Sequence, residues 1–192
     1  MQPPPLLKAA SIKQLGYMAY FDIPLMFAGF KNDSVENLHK KFLQKTYQII
    51  LDGATDTNLN VQIRNSWTLA NMSFVNKASL LDEYLAQEIL IISIQYALSN
   101  KEKVASNGLR SLGYYLSNIN MVHLKTKLIT QINKSQQMLH RIPLQTLSVD
   151  SLIGIILDNL DSKFPKLAWN SCVALANILD NPSLQGDEVI FS

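Results

Sequence analysis

Amide, aromatic and guanidinium side chains recur at a spacing of three and four residues in separate segments of this chain. In the clearest segment, Arg64, Trp67 and Asn71 follow one another at these intervals. On an α-helix, residues three and four positions apart lie on one face. Side chains of these types hydrogen-bond peptide backbone groups and stack against peptide side chains. The pattern therefore predicts a surface that binds a protein partner or an extended peptide.

The equivalent positions of the other segments extend this surface to eight candidate binding residues. They are Arg64, Trp67, Asn71, Asn107, Arg110, Tyr114, Asn170 and Asn177. Lys13, Tyr17 and Val173 occupy the remaining equivalent positions. The alternative is that the Asn and Arg side chains bond one another and neighbouring helix ends as a structural ladder, and that Trp67 serves packing alone.

Residue combinations typical of catalysis or metal binding are absent from the sequence. His39, His123 and His140 are scattered, and no Cys or His pair has metal-ligand spacing. The sequence also has no phosphate-binding loop and no G-x-S-x-G motif. Cys172 falls in a helical pattern where we expect a small buried side chain. We expect a non-catalytic protein with no cofactor, no metal and no small-molecule substrate.

Positions of the apolar residues predict an all-α protein. They recur every three or four residues, and seven glycines and seven prolines among 192 residues leave little room for strands and hairpin turns. Four segments of twelve residues also align without gaps, which indicates an internal repeat. They are LKAASIKQLGYM from Leu7, VQIRNSWTLANM from Val61, VASNGLRSLGYY from Val104 and LAWNSCVALANI from Leu167.

Numbered from one to twelve, the columns of this alignment define the faces of a repeated helix. Columns one, nine and twelve are apolar in all four segments, and column ten holds only glycine and alanine. Small residues allow neighbouring helices to approach closely. The candidate binding residues occupy columns four, seven and eleven, which we expect to face a concave groove.

The period of the repeat indicates an αα solenoid. The second and third segments begin 43 residues apart, at Val61 and Val104, within the ~40–47 residue period of HEAT and armadillo repeats. We predict one repeat domain over residues 1–192, with inner helices near 6–19, 60–74, 102–118 and 166–180. Outer helices are predicted near 34–52, 79–99 and 148–160, and residues 119–147 form an insertion with a surface helix and a loop around Pro143. Because the first inner helix lacks an outer partner, we expect a part of a longer solenoid.

At these columns the sequence resembles the C-terminal repeats of the HEAT repeat-containing protein 6 family. The resemblance covers most of the chain, from Leu6 to Leu184. The matching runs are LLKAASIKQLGYMAYF, NLNVQIRNSWTLANM, KEKVASNGLRSLGYYL and FPKLAWNSCVALANILDNPSL. This resemblance implies a right-handed αα superhelix of the armadillo/HEAT type and a scaffolding role, with no catalysis.

A second resemblance is local. Trp67, Leu69 and Asn71 spell W-x-L-x-N, which is similar to the motif on the inner helices of armadillo nuclear-import adaptors. That resemblance implies a side-chain pocket at Trp67 and a backbone hydrogen bond at Asn71. Only the segment from Val61 carries both residues, so the regular Trp–Asn ladder of those adaptors is absent.

The sequence leaves three hypotheses for function. The first is a scaffold that binds a protein partner on its concave face, and the second is an architectural spacer within a larger protein. The third and least favoured is nucleic-acid association through region 104–149, which has no Asp or Glu and carries Arg110, Lys125, Lys127, Lys134 and Arg141. The net charge of the chain, +2, is too small to favour nucleic-acid binding by itself.

Location is predicted from what the sequence lacks. The N-terminal residues show no secretory signal, and the longest apolar stretch, from Leu80 to Leu98, contains acidic residues that oppose membrane insertion. A single cysteine suits a reducing compartment. We expect a cytoplasmic or nuclear protein with no membrane partner.

Overall fold

All regular structure that can be described in this chain is helical. A computed structural model describes residues 4–20, 33–75, 83–118 and 148–183, and within these ranges there is no β-strand. The predicted all-α class is therefore confirmed. The insertion at 119–147 lies outside the described residues, as do residues 79–82 of the outer helix predicted near 79–99. The helices are α1 (Pro5–Tyr20), α2 (Asp33–Ala54), α3 (Leu59–Val75), α4 (Glu83–Ala97), α5 (Glu102–Asn118), α6 (Val149–Leu157) and α7 (Pro165–Leu179).

The helices that contain the four repeated segments pack side by side in chain order. Helix α1 packs against α3, α3 against α5, and α5 against α7. We call these four helices the inner row. Helix α4 packs mainly on α5, α2 on α3, and α6 on α7. Contacts join similar columns along both members of a pair, such as Ser66 with Asn107 near their N-terminal ends and Phe74 with Tyr114 near their C-terminal ends, so these neighbours run parallel.

Glycines set the distance between several of these helices. A Cβ atom on Gly113 would overlap the Cα and Cβ atoms of Ala174 in α7, and one on Gly108 would overlap the backbone of α4 at Ala97. On Gly16, a Cβ would come within 2.7 Å of Thr68 Oγ1. The helix axes can approach this closely only because these positions lack side chains.

The apolar core is continuous from α2 to α7, and a smaller cluster of Ala9, Ile12 and Val61 attaches α1. Met72 and Tyr115, in column twelve, are buried in the main core. On α1, by contrast, the apolar residues of columns one and twelve are not buried, since Leu7 is 58% exposed and Met18 is also exposed. No described outer helix covers that side of α1, so these side chains have no apolar surface to pack against.

Buried polar side chains join the helices as well. Asn65 Nδ2 donates to the Ile50 carbonyl oxygen at 2.7 Å and to the Tyr96 hydroxyl at 2.7 Å, so one amide group links α2, α3 and α4. Burial raises the pKa of Tyr96 well above its ordinary value, and the hydrogen bond from Asn65 opposes this effect. The hydroxyl is therefore protonated throughout the physiological range.

Three buried serines meet where α3, α4 and α5 converge. The hydroxyl oxygen of Ser111 lies 2.9 Å from that of Ser73 and 2.8 Å from that of Ser93. Ser73 and Ser93 each also donate to the backbone carbonyl four residues earlier in their own helix, at Leu69 and Ile89. These hydrogen bonds satisfy polar groups that would otherwise be costly to bury.

Helix α6 is shorter than predicted. It begins after Ser148, whose side chain accepts a hydrogen bond from the backbone N–H of Ser151 in a capping box, and it ends at Leu157 rather than near residue 160. The Asn159 side chain donates to the Ile155 carbonyl oxygen at 2.8 Å. This side-chain bond satisfies a carbonyl of the last turn, so the chain can leave the helix there. None of the described helices combines the length and apolar composition that crossing a membrane requires.

Substitution of two helical glycines tests whether close approach stabilises the inner row. Gly113→Ala should lower the free energy of unfolding by about 1–3 kcal/mol, because the added methyl group overlaps α7. Gly154→Ala is the matched control, since beyond its chain neighbours and the nearby backbone of its own helix no atom lies within 4 Å of its added Cβ, and it should raise stability by about 0.5–1 kcal/mol. Chemical denaturation of the two variants measures both values. An equal gain from both would show that α5 and α7 are not in close contact.

Acid pH tests the attachment of α1. Lys8 Nζ contacts Asp56 Oδ2 at 2.7 Å, and hydrogen bonds from Lys8 and from the Asn58 backbone lower the pKa of Asp56. A lowered folded-state pKa stabilises the fold above about pH 4, and this contribution disappears as pH falls through the lowered value. Because the pair is partly exposed, we expect less than about 1 kcal/mol. Asp56→Asn and Lys8→Met should each weaken this acid dependence in pH-dependent denaturation. An unchanged dependence in both would contradict the contact.

Candidate functional site

Three of the eight candidate residues are buried between helices of the inner row. Asn107 Nδ2 donates to Ser66 Oγ at 3.1 Å. Asn170 Nδ2 donates to Ser106 Oγ at 2.6 Å and to the Ser106 carbonyl oxygen at 2.9 Å. Together with Asn71, which is also buried, these side chains do not face an open groove as expected. The position of neighbouring helices explains this difference. Asn107 and Asn170, in column four, contact the preceding helix of the row, and Asn71, in column eleven, accepts a hydrogen bond from the following one.

Arg110 extends this network from α5 to α3. Its Nη2 donates to Asn71 Oδ1 at 2.8 Å, and the side chain is half-buried. Four of the eight candidates thus make hydrogen bonds between inner helices, which is the arrangement of the structural ladder. Asn177 is half-buried, and its Nδ2 is buried with no hydrogen-bond partner among the described residues.

Aromatic side chains form a second set of contacts along the same face. The rings of Tyr17 and Trp67 meet edge to face with centroids 4.9 Å apart, and Lys13 Nζ lies 5.3 Å from the Tyr17 centroid. Trp67 also packs closely over Gly16. Trp67 therefore contributes to packing between α1 and α3, yet it remains half-buried rather than enclosed.

Phe74 is a residue of this face that the sequence columns missed. Its ring lies 5.0 Å from that of Tyr114, another candidate, and the Phe74 side chain is 54% exposed. Phe74 follows Trp67 by seven residues, which is close to two helical turns. The alignment missed Phe74 because its twelve columns end two positions earlier, at Met72. The helical period alone predicts that Phe74 shares a face with Trp67.

Positive charge accompanies these aromatic rings. Arg64 is exposed, and Lys13 and Arg110 are half-buried. Columns four, seven and eleven contain no Asp or Glu in any of the four inner helices. We call this surface the cationic–aromatic face, and it consists of Lys13, Tyr17, Arg64, Trp67, Phe74, Arg110 and Tyr114. It ends toward α7, where Val173 occupies column seven and Asp180 follows the helix.

Cys172 is exposed, and the expectation of a buried side chain is wrong. The other residues of column six are Ile12, Ser66 and Leu109, and all three are buried. Each of them lies on a helix that has a following member of the inner row, whereas no described helix follows α7. Trp169, three residues earlier on the same helix, is 69% exposed.

The side chains of this face can make binding contacts of two kinds. Exposed and half-exposed guanidinium, ammonium and aromatic groups attract carboxylates and stack against side chains. Within the described ranges, no three His, Cys, Asp or Glu side chains gather closely enough to hold a metal ion. No protein-family model matches the chain, and no solved structure matches it.

The ladder can be tested separately from binding. Asn170→Ala should lower the free energy of unfolding by about 1–3 kcal/mol, because it leaves the Ser106 groups without their buried donor. Arg64→Ala, on the exposed face of α3, should change it by less than about 0.5 kcal/mol. Thermal and urea denaturation measure the difference between the two variants. Equal stabilities would mean that Asn170 does not join α5 and α7.

Proposed function

We propose that this chain is a non-catalytic scaffold that holds an extended acidic segment of a protein partner on its cationic–aromatic face. The inner row would form the concave side of a right-handed αα superhelix of the HEAT/armadillo type, with α2, α4 and α6 on its outer side. Consecutive packing of the four inner helices supports this architecture. The observation that carries the proposed function is the run of exposed and half-buried cations and aromatic rings across α1, α3 and α5.

Charge favours an acidic segment over a basic or neutral one. Lys13, Arg64 and Arg110 contribute three positive charges, and no carboxylate shares their columns. Arg64 is exposed and makes no hydrogen bond or ion pair with the other described residues, so it can form a charge-assisted contact with a carboxylate. Rings at Tyr17, Trp67 and Tyr114 offer surface for apolar side chains of the same segment.

An extended segment fits this face because the cations and rings follow one another from helix to helix. Tyr17 contacts Trp67 between α1 and α3, and Phe74 contacts Tyr114 between α3 and α5. A bound chain that crosses the row would meet these aromatic pairs in succession. Because Asn71 and Asn107 are engaged within the fold, the partner's backbone would be held less by an asparagine ladder than by Arg64 and the aromatic side chains.

A second candidate function is an architectural segment within a larger protein. The interhelical hydrogen bonds of Asn107, Arg110 and Asn170 support it, since they join polar side chains of the candidate surface to neighbouring helices of the row. The two candidate functions differ in the expected effect of changing an exposed residue such as Arg64. A scaffold should lose affinity for its partner, whereas an architectural segment should not. Nucleic-acid association through region 104–149 receives no support from the described residues, because four of its five basic residues lie outside them.

Titration with matched peptides tests the scaffold. A fluorescein-labelled peptide of Glu, Ser and one Tyr should bind the full chain, as measured by fluorescence anisotropy, and the same peptide with Lys replacing Glu should not. Arg64→Glu should weaken binding by about tenfold, equivalent to roughly 1.4 kcal/mol. Lys45→Glu makes the same charge change on an exposed position of α2 and should have little effect.

Two results would contradict the proposed function. One is equal binding of the Glu and Lys peptides. The other is an equal loss of affinity in Arg64→Glu and Lys45→Glu, which would indicate attraction by overall charge rather than by this face. Circular dichroism of both variants establishes that each retains the helical fold.

A further inference from the structure

One face of α7 is left exposed by the described residues, although the same face of α5 is covered. Each inner helix has a stripe of four residues that points toward the next helix of the row. The stripe consists of columns three, six and ten and of the residue three positions after column ten. On α5 this stripe is Ser106, Leu109, Gly113 and Leu116, and all four residues are buried. On α7 it is Trp169, Cys172, Ala176 and Leu179, and all four are exposed.

Contacts within the row show what kind of surface covers this stripe. Gly113 of α5 meets Ala174 of α7, and Ser106 of α5 meets Asn170 of α7. Asn170 and Ala174 belong to columns four and eight of the following helix. We therefore expect α7 to be covered in the same manner by a parallel helix. That helix would contact α7 through its columns four and eight and through columns one and eleven, which flank them.

The described residues contain one inner helix with that surface uncovered, and it is α1 at the other end of the row. Its residues at columns one, four, eight and eleven are Leu7, Ala10, Gln14 and Tyr17, and all four are exposed. Neither this surface nor the stripe on α7 contains a charged residue. Joining them would bury apolar surface without desolvating an ion.

We propose that the exposed stripe of α7 docks α1 of a second copy of this chain, so that the inner row continues from one molecule to the next. Residue sizes at the two ends are complementary. Within one molecule, the small Ser106 in column three meets the larger Asn170 in column four. At the proposed junction, the large Trp169 in column three meets the small Ala10 in column four, so a large side chain again faces a small one.

The two surfaces of this junction are different, so each molecule keeps one free end after docking. Such a heterologous contact builds an open chain of molecules rather than a closed dimer. The inference does not depend on the proposed acidic partner. The junction uses the stripe of α7 and the opposite side of α1, and only Tyr17 belongs to both this junction and the cationic–aromatic face.

Two variants, each blocked at one end, test the junction. Trp169→Lys places a charge in the stripe of α7, and Ala10→Arg places a larger charged side chain on α1. Both positions are exposed, so both variants should fold, which circular dichroism verifies. Leu38→Lys is the matched control, because Leu38 is a strongly exposed apolar residue on α2.

Light scattering and sedimentation velocity over a concentration series supply the measurement. The average mass of the unmodified chain and of Leu38→Lys should rise steadily with concentration, whereas each blocked variant should remain a monomer. When Trp169→Lys and Ala10→Arg are mixed, the intact α7 of one meets the intact α1 of the other. The mixture should therefore form a species of twice the monomer mass and nothing larger.

Several results would overturn the proposal. A chain that remains monomeric at its highest soluble concentration would show that no second copy binds. A dimer that does not grow, and that Trp169→Lys disrupts but Ala10→Arg does not, would indicate contact between two α7 helices. A mixture of the two blocked variants that stays monomeric would exclude docking of α1 on α7.

Discussion

The structure depends on how closely the helices of the inner row can approach one another. Gly16 faces Thr68, and Gly113 faces Ala174, with no side chain of their own between the helices. Close approach then allows short polar side chains to reach across, as Asn170 does to Ser106. If column ten carried larger residues, the helices would separate, and these hydrogen bonds would be lost together with the apolar contacts. Small residues and interhelical hydrogen bonds therefore form one interdependent arrangement.

Much of the fold could be predicted because the repeat combines two kinds of information. Apolar spacing predicts that helices form, and the recurrence of small residues in column ten predicts that their neighbours come close. The structure has helices at Leu59–Val75 and Glu102–Asn118, within two residues of the predicted inner helices near 60–74 and 102–118. The end of α6 was harder to predict, because the hydrogen bond from Asn159 to Ile155 depends on a side-chain conformation that apolar spacing does not encode.

The candidate site was less predictable because columns describe directions on one helix and not the position of its neighbour. Asn107 and Arg64 share column four, yet Asn107 is buried against Ser66 while Arg64 is exposed. The sequence allowed both a binding groove and a structural ladder. Which side chains are buried depends on how adjacent helices are positioned relative to each other, and the columns do not contain that information. Cys172 shows the same limit, since column six is buried only where another helix follows.

The serine cluster at the junction of α3, α4 and α5 has a consequence for the mobility of the core. Four oxygen–oxygen contacts share three hydroxyl protons, and two of these protons are directed to the Leu69 and Ile89 carbonyls. The remaining proton, on Ser111, can point to Ser73 or to Ser93 but not to both at once. Rotation about a single C–O bond interconverts these two arrangements without moving any heavy atom. The Ser111 hydroxyl thus retains two orientations within a tightly packed core.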